Sequence, residues 1–240
     1  MTIGLIGYGR FGALACKHIA GKADVVVHDR RTPRSFPSRR ARGGTLAAAA
    51  SQSVVLLAVP LSALKATLKA VCPHLKKHAL IIDVCSVKVQ PLRWMKEILP
   101  PDAQILGTHP LFGPDSAAGG LRGLHIVLTP VRVPTATLNR VKRLLKSGGL
   151  HVHVMSPAAH DRMMTETIFL TQYVGRLVGH AGFRTWPAPT PAYANLVSIV
   201  EIARHDSKQL FRDMWKYNAF GRRMQDAFRR AAKRLESDLK

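Results

Sequence analysis

At 240 residues and 47% apolar content, the chain is long enough to bury a core as one large domain or two modest ones, which excludes general disorder. Lys and Arg number 36 against 14 Asp and Glu, a formal charge of +22 that suits nucleic acid, an anionic surface or a small acidic substrate without choosing among them. The basic cluster Arg30, Arg31, Arg34, Arg39, Arg40 and Arg42 lacks interleaved aromatics and any recognisable nucleic-acid module, so specific nucleic-acid binding is not expected.

Short apolar runs occur at Ile3 to Ile6, Val25 to His28, Val54 to Val59, Leu80 to Val84, Ile105 to Gly107, Ile126 to Leu128 and Val152 to Met155. Helical or loop segments separate them, the pattern of a parallel sheet with crossover helices, and the last two runs extend the sheet around a helix at Leu138 to Leu145. At Ser156-Pro157 the period changes. An N-cap followed by proline opens a long amphipathic helix reaching Gly175, with a further stop at Gly182, and Met164, Ile168, Thr171 and Val178 share its apolar face. The segment Trp186-Pro187-Ala188-Pro189-Thr190-Pro191 is a rigid connector, after which two or three more helices run to Leu239.

Gly7, Gly9 and Gly12 form G-x-G-x-x-G directly after a strand and at the start of a helix. In that context the glycines allow a tight turn, a close approach to a pyrophosphate and the packing of helix on strand, while the helix N-terminus attracts the anion. Gly7, Tyr8, Gly9, Arg10, Phe11 and Gly12 are therefore candidate cofactor residues. Asp29 ends the second strand where an acidic side chain accepts from the adenosine ribose hydroxyls, and it repels a 2'-phosphate that Arg30 and Arg31 could clamp. NAD is the expected cofactor, with NADP not excluded. Val59, Pro60 and Ser62 end the next inner strand on the nicotinamide side of the crevice. The expected fold is a Rossmann-type doubly wound α/β sheet, a dinucleotide-binding domain over 1–155, followed by an all-helical substrate and dimerisation domain over 156–240.

Two further strand ends carry chemistry. Asp83-Val84-Cys85-Ser86-Val87-Lys88 brings Ser86 toward the crevice, either to orient a substrate hydroxyl or to cap the following helix. In Gly107-Thr108-His109-Pro110-Leu111-Phe112-Gly113-Pro114, one imidazole sits at a strand end beside a rigid turn, where it can take a proton near neutral pH.

The glycine motif, Asp83-x-x-Ser86-Val87-Lys88, Gly107-Thr-His109-Pro-x-Phe112-Gly113-Pro114 and His160-Asp161 occur in the order and spacing of the prephenate/arogenate dehydrogenase family, a resemblance spanning nearly the whole chain. Val200-Glu201-Ile202-Ala203-Arg204-His205-Asp206-Ser207, followed by Met214-Trp215-Lys216-Tyr217-Asn218, resembles the plant-type arogenate dehydrogenase branch. The resemblance implies oxidative decarboxylation of arogenate or prephenate to tyrosine or 4-hydroxyphenylpyruvate, in tyrosine biosynthesis. It makes His109 the acceptor of the ring-hydroxyl proton and Ser86 its catalytic partner, both also touching substrate. Gln172, Arg176, Thr190, Glu201 and Asp206 complete the candidate substrate residues, Asp206 facing the amine of arogenate or capping the helix after it.

The chain departs from its relatives in places. Glu201 stands where many bacterial prephenate-specific members have arginine, although the plant-type branch has glutamate there. Gln172 replaces an expected histidine, Ile168 an expected glutamine, and Asp29 the serine common in plant-type members, which turns the cofactor toward NAD. Alternative activities are a dehydrogenase of an amino-substituted prephenate analogue or of a β-hydroxyacid, the latter disfavoured because no lysine lies between Ser156 and Gly182. A third is a non-catalytic nucleotide- or nucleic-acid-binding protein.

Cys16, Cys72 and Cys85 are odd in number and lie in apolar patterns, so free thiols in a reducing interior are expected. The chain opens on strand residues with no basic region before a long apolar stretch, so no signal peptide or membrane span is expected and a cytoplasmic location follows. No metal site is expected, and a regulatory domain after Lys240 is not. The helical part is small for an independent core, so its apolar faces are expected to complete themselves in a homodimer.

Overall fold

The computed structural model describes residues 1–240 except Thr32, Arg34, Thr185 and Lys240, so Arg34 of the basic cluster lies outside the described residues. The chain divides into two compact units, Met1–Pro157 and Ala158–Lys240.

The first unit begins β1 (Thr2–Ile6), α1 (Arg10–Ile19), β2 (Asp24–His28), β3 (Ala41–Gly43), α2 (Leu46–Ala50), β4 (Val54–Leu57) and α3 (Leu61–Val71). It continues β5 (Leu80–Asp83), α4 (Val89–Ile98), β6 (Gln104–Pro110), β7 (His125–Arg132), α5 (Thr135–Ser147) and β8 (His151–Val154). The eight strands form one sheet in the order β3-β2-β1-β4-β5-β6-β7-β8. The order reverses between β1 and β4, and open sheets of this kind bind ligands outside the carboxyl ends of the strands at such a switch point.

Hydrophobic burial explains why six of the seven apolar runs became strands, while the last, β8, is mostly exposed and is held by its pairing with β7. Leu5, Val25, Val27 and Leu56 pack with Cys16 of α1 and with Ala20 just after it, while Leu80, Leu106, Ile126 and Leu128 pack with the partly buried Leu138, Val141 and Leu145 of α5. Each such side chain, fully buried, contributes about 1.5–3 kcal/mol. Three features differ from expectation. Strand β3 carries no apolar alternation and forms because Ala41, Arg42 and Gly43 pair with Val25, Val26 and Val27 of β2. Strand β6 runs to Pro110 instead of stopping at Gly107, because its antiparallel partner β7 holds His109 opposite Val127 and Pro110 opposite Ile126. His109 is thus paired within the strand's last residues, at the strand end where the sequence put it. The three cysteines are free, Cys16 and Cys85 buried and Cys72 half-buried.

The second unit contains α6 (Pro157–Met164), a π-helical turn (Thr165–Phe169), α7 (Leu170–His180), α8 (Pro191–His205), α9 (Lys208–Tyr217) and α10 (Gly221–Asp238). The π turn corrects the expected apolar face. Its extra residue rotates everything that follows, so the buried set is Met164, Thr165, Phe169, Gln172 and Gly175, while Ile168, Thr171 and Val178 are only half-buried. Phe169 anchors this unit: fully buried, its ring lies 5.7 Å from that of Phe211 and 5.5 Å from that of Trp215. His160 and Asp161 are buried too, with Nδ1 and Oδ1 2.8 Å apart, and the Asp161 carbonyl accepts from Thr165 Oγ1 and Asn218 Nδ2. The Asp161 carboxylate therefore faces its histidine neighbour. Leu177, Ile202, Leu235 and Leu239 remain exposed. No helix among the described residues is long and apolar enough to cross a membrane.

Replacing Phe169 by alanine should destabilise the second unit by about 3–5 kcal/mol, because the neighbouring Phe211 and Trp215 rings lose their partner and a cavity remains. Chemical denaturation checks this, and an unchanged midpoint contradicts it.

Candidate active site

Gly7 follows the last residue of β1 with φ of 98°, and a Cβ there would sit 2.4 Å from the carbonyl oxygen of Ala58. Only glycine tolerates both conditions. Gly12 is held as tightly, since its Cβ would fall 2.2 Å from the oxygen of Gly7, which is how α1 closes on the turn. Gly9 differs: a Cβ would meet nothing within 4 Å, and it precedes α1 without a side-chain cap. Open space before an uncapped helix N-terminus fits a pyrophosphate.

Asp29, just past β2, is fixed beside this turn. Its Oδ2 accepts from the Tyr8 N–H at 2.7 Å and its Oδ1 from the Arg31 N–H at 2.9 Å. Each oxygen keeps a lone pair for a ribose hydroxyl. Arg30 is exposed and Phe11 half-buried. The Tyr8 ring meets Phe36 edge-on at 5.6 Å. Burial, then the neighbouring Cys16, pushes the Tyr8 phenol up from its ordinary range, and burial does the same to the Cys16 thiol. Val59 is half-buried and Pro60 and Ser62 exposed, at the turn from β4 into α3.

The β5 end is locked by a pair that the sequence alone did not single out. Asp83 and Lys88 are both fully buried, and Lys88 Nζ donates to Asp83 Oδ2, which also accepts from the Cys85 N–H at 3.0 Å. Thr108 Oγ1 donates to the Asp83 carbonyl at 2.7 Å, tying β6 to the same point. The available signal was two opposite charges five residues apart where a strand enters the core. Ser86 lies inside this closed turn, half-buried, and does not cap α4, which begins at Val89 after a Lys88 position with no side-chain cap. His109 is 5% exposed on β6, two residues beyond Gly107, the register partner of Asp83. Beyond it, Asp115 accepts from Arg10 Nη2 at 2.6 and 2.8 Å.

In the second unit Gln172, Arg176 and Asp206 come together. Gln172 Nε2 donates to Asp206 Oδ2 at 2.5 Å, and Arg176 Nη2 to the Asp206 carbonyl at 3.1 Å, with the guanidinium 4.9 Å over the Phe211 ring. Gln172 Oε1 and Arg176 Nε are buried with no hydrogen-bond partner. Asp206 is not the cap of α9, because Ser207 Oγ takes that place by accepting from the Leu210 N–H. Glu201 is engaged with Arg204 at 2.7 Å beside a small groove lined by Val178, Tyr193 and Val197. Thr190 caps α8 by accepting from the Tyr193 N–H. Among the described residues, no group of three His, Cys, Asp or Glu side chains is arranged to hold a metal ion.

Residues 39–154 match the family model of the prephenate dehydrogenase nucleotide-binding domain, and residues 178–240 that of the TYRAAT1-like C-terminal domain. The chain is 28% identical over 252 residues to arogenate dehydrogenase 1, chloroplastic, of Arabidopsis thaliana, covering 100% of this chain and 39% of that protein. It is 27% identical over 256 residues to the probable arogenate/prephenate dehydrogenase of Methanocaldococcus jannaschii, covering 100% of this chain and 57% of that protein. The chain thus spans less than two thirds of the length of these relatives. Its fold is similar to Synechocystis arogenate dehydrogenase, with a TM-score of 0.70, 21% identity and coverage of 99% of this chain and 91% of that one. It is also similar to A. aeolicus prephenate dehydrogenase in complex with hydroxyphenyl propionate and NAD+, with a TM-score of 0.78, 21% identity and coverage of 99% and 90%.

Replacing Lys88 by methionine should cost about 3–5 kcal/mol, because it leaves the Asp83 carboxylate buried without its cation. Adding Asp83→Asn should recover part of that loss in a denaturation series. Equal stability of Lys88→Met and the parent chain would show that the pair does not lock the turn.

Proposed function

We propose that the chain is a member of the prephenate/arogenate dehydrogenase family and that it oxidises and decarboxylates arogenate or prephenate in tyrosine biosynthesis. The observation that carries this is the alignment of strand ends. The glycine turn after β1, Asp29 after β2, Ser86 after β5 and His109 on β6 all follow one row of paired residues, Ile6 with His28 and Leu57, Leu57 with Asp83, and Asp83 with Gly107. NAD, held by Gly7 to Gly12 and Asp29 with Val59, Pro60 and Ser62, would supply the hydride acceptor.

The chain's own residues would then act on the ring. His109 takes the proton of the ring hydroxyl as the carbinol carbon gives up its hydride, and Ser86 holds that hydroxyl in line. The bond to the ring carboxylate breaks, its electron pair enters the ring, carbon dioxide leaves, and the ring oxygen takes back a proton as the ring aromatises. Gln172, Arg176, Glu201 and Asp206 are assigned to the substrate's side chain, where Asp206 gives the ammonium of arogenate a counter-charge that the keto group of prephenate does not use. The orphaned Gln172 Oε1 and Arg176 Nε support that assignment, since buried polar groups are normally satisfied. We place the enzyme in the cytoplasm as a homodimer through its C-terminal helices, supported by the exposed Leu235 and Leu239 of the last helix and its end.

Two measurements test the proposal. Initial rates with arogenate and prephenate, each crossed with NAD and NADP, should show one productive pairing, and His109→Asn should lower turnover by about 10²–10⁴-fold while NAD binding survives. No turnover in any of the four pairings sinks the assignment. Asp29→Ser should raise the NADP-to-NAD ratio of kcat/KM, because it removes the carboxylate facing a 2'-phosphate and leaves Arg30 and Arg31 in place; an unmoved ratio would take Asp29 out of cofactor selection.

A further inference from the structure

Arg10 is the first residue of α1, and the first turn of that helix contains no acidic residue. A guanidinium there stands at the positive end of the helix dipole, which favours anions and opposes cations. The chain brings an anion to it from 105 residues away: Asp115, in the segment after β6, accepts from Arg10 Nη2 through both oxygens. The two side chains are 60% and 65% exposed, and an ion pair so open to water contributes little. Beside it, Gly9 faces open space.

We propose that Arg10 and Asp115 form a latch that the dinucleotide releases. The cofactor's pyrophosphate takes over the Arg10 guanidinium, and Asp115 with its segment is let go from the glycine turn. Phosphate oxygens match the geometry that the carboxylate now uses and in addition face the helix N-terminus, so the exchange runs toward the cofactor. The turn around Asp115 keeps its own bonds, Ser116 Oγ accepting from the Gly113 N–H and the Ala117 N–H donating to the Gly113 carbonyl, so it moves as a piece. Asp115 lies six residues past His109, which links occupancy of the cofactor site to the chain leading away from the proposed base. The latch rests on the dinucleotide reading above.

The test is equilibrium binding of NAD+, and of ADP-ribose, which has the pyrophosphate without the nicotinamide, to the full chain and to Asp115→Asn, Arg10→Gln and the double variant. Asp115→Asn should bind both ligands about two- to fivefold more tightly, the range expected for removing an exposed competing ion pair. Arg10→Gln should bind more weakly, and in its background Asp115→Asn should change nothing. Unchanged or weaker binding by Asp115→Asn overturns the latch, as does the same gain with and without Arg10, which would reflect general charge alone. Hydrogen exchange gives a second readout: amides 113–120 should exchange faster when ADP-ribose binds the parent chain, and slower exchange contradicts release. A parent chain that binds neither ligand overturns the cofactor reading and the latch together, whereas binding indifferent to Asp115 overturns the latch alone.

Discussion

Strand register governs this protein. Five neighbouring strands, β2, β1, β4, β5 and β6, are paired so that His28, Ile6, Leu57, Asp83 and Gly107 form one hydrogen-bonded row. The side-chain period of a strand is two, so a slip of one residue would send every apolar side chain to the opposite face and is strongly opposed by the buried Leu5, Val27 and Leu56. The row therefore acts as a fixed base line. Gly7, Asp29, Ala58 and Val84, which follow it, leave the sheet at one edge, while β6 alone continues past it to Pro110 against β7.

Charge buried behind that edge keeps the line rigid. Asp83 and Lys88 surrender water on both sides, which is tolerated because Lys88 Nζ and the Cys85 N–H both donate to the Asp83 carboxylate, while the Thr108 hydroxyl ties the Asp83 carbonyl to β6. The helical unit uses a comparable arrangement at His160 and Asp161, whose carbonyl gathers Thr165 and Asn218 from 4 and 57 residues away. In each unit a buried polar cluster thus ties together backbone segments that are distant in the chain. The exposed contacts, Arg10 with Asp115 and Glu201 with Arg204, stay exchangeable because water screens them.

Much of the fold was legible because its causes are local. Short apolar runs between turn formers carry the strand pattern in adjacent residues, and G-x-G-x-x-G after such a run admits few structures, as the positive φ of Gly7 and the close approach at Gly12 demonstrate. Strand β3 was not legible, since Ala-Arg-Gly carries no pattern and is a strand only because β2 offers it partners. The π turn at Thr165–Phe169 was hidden for a related reason. A single extra residue leaves the composition untouched but rotates the helix face, exchanging Ile168 and Thr171 for Phe169 and Gln172 inside.

By itself, then, the sequence determined the strands, the glycine turn, the acidic end of β2 and the presence of one imidazole among family-like motifs, because each depends on residues adjacent in the chain. Only the tertiary structure decided the partners: Lys88 for Asp83, Gln172 for Asp206, Asp115 for Arg10, and Val127 of β7 opposite His109 at the strand end. A side chain's hydrogen-bond partner depends on which distant segments packing brings within about 3 Å, and spacing along one chain carries no record of that.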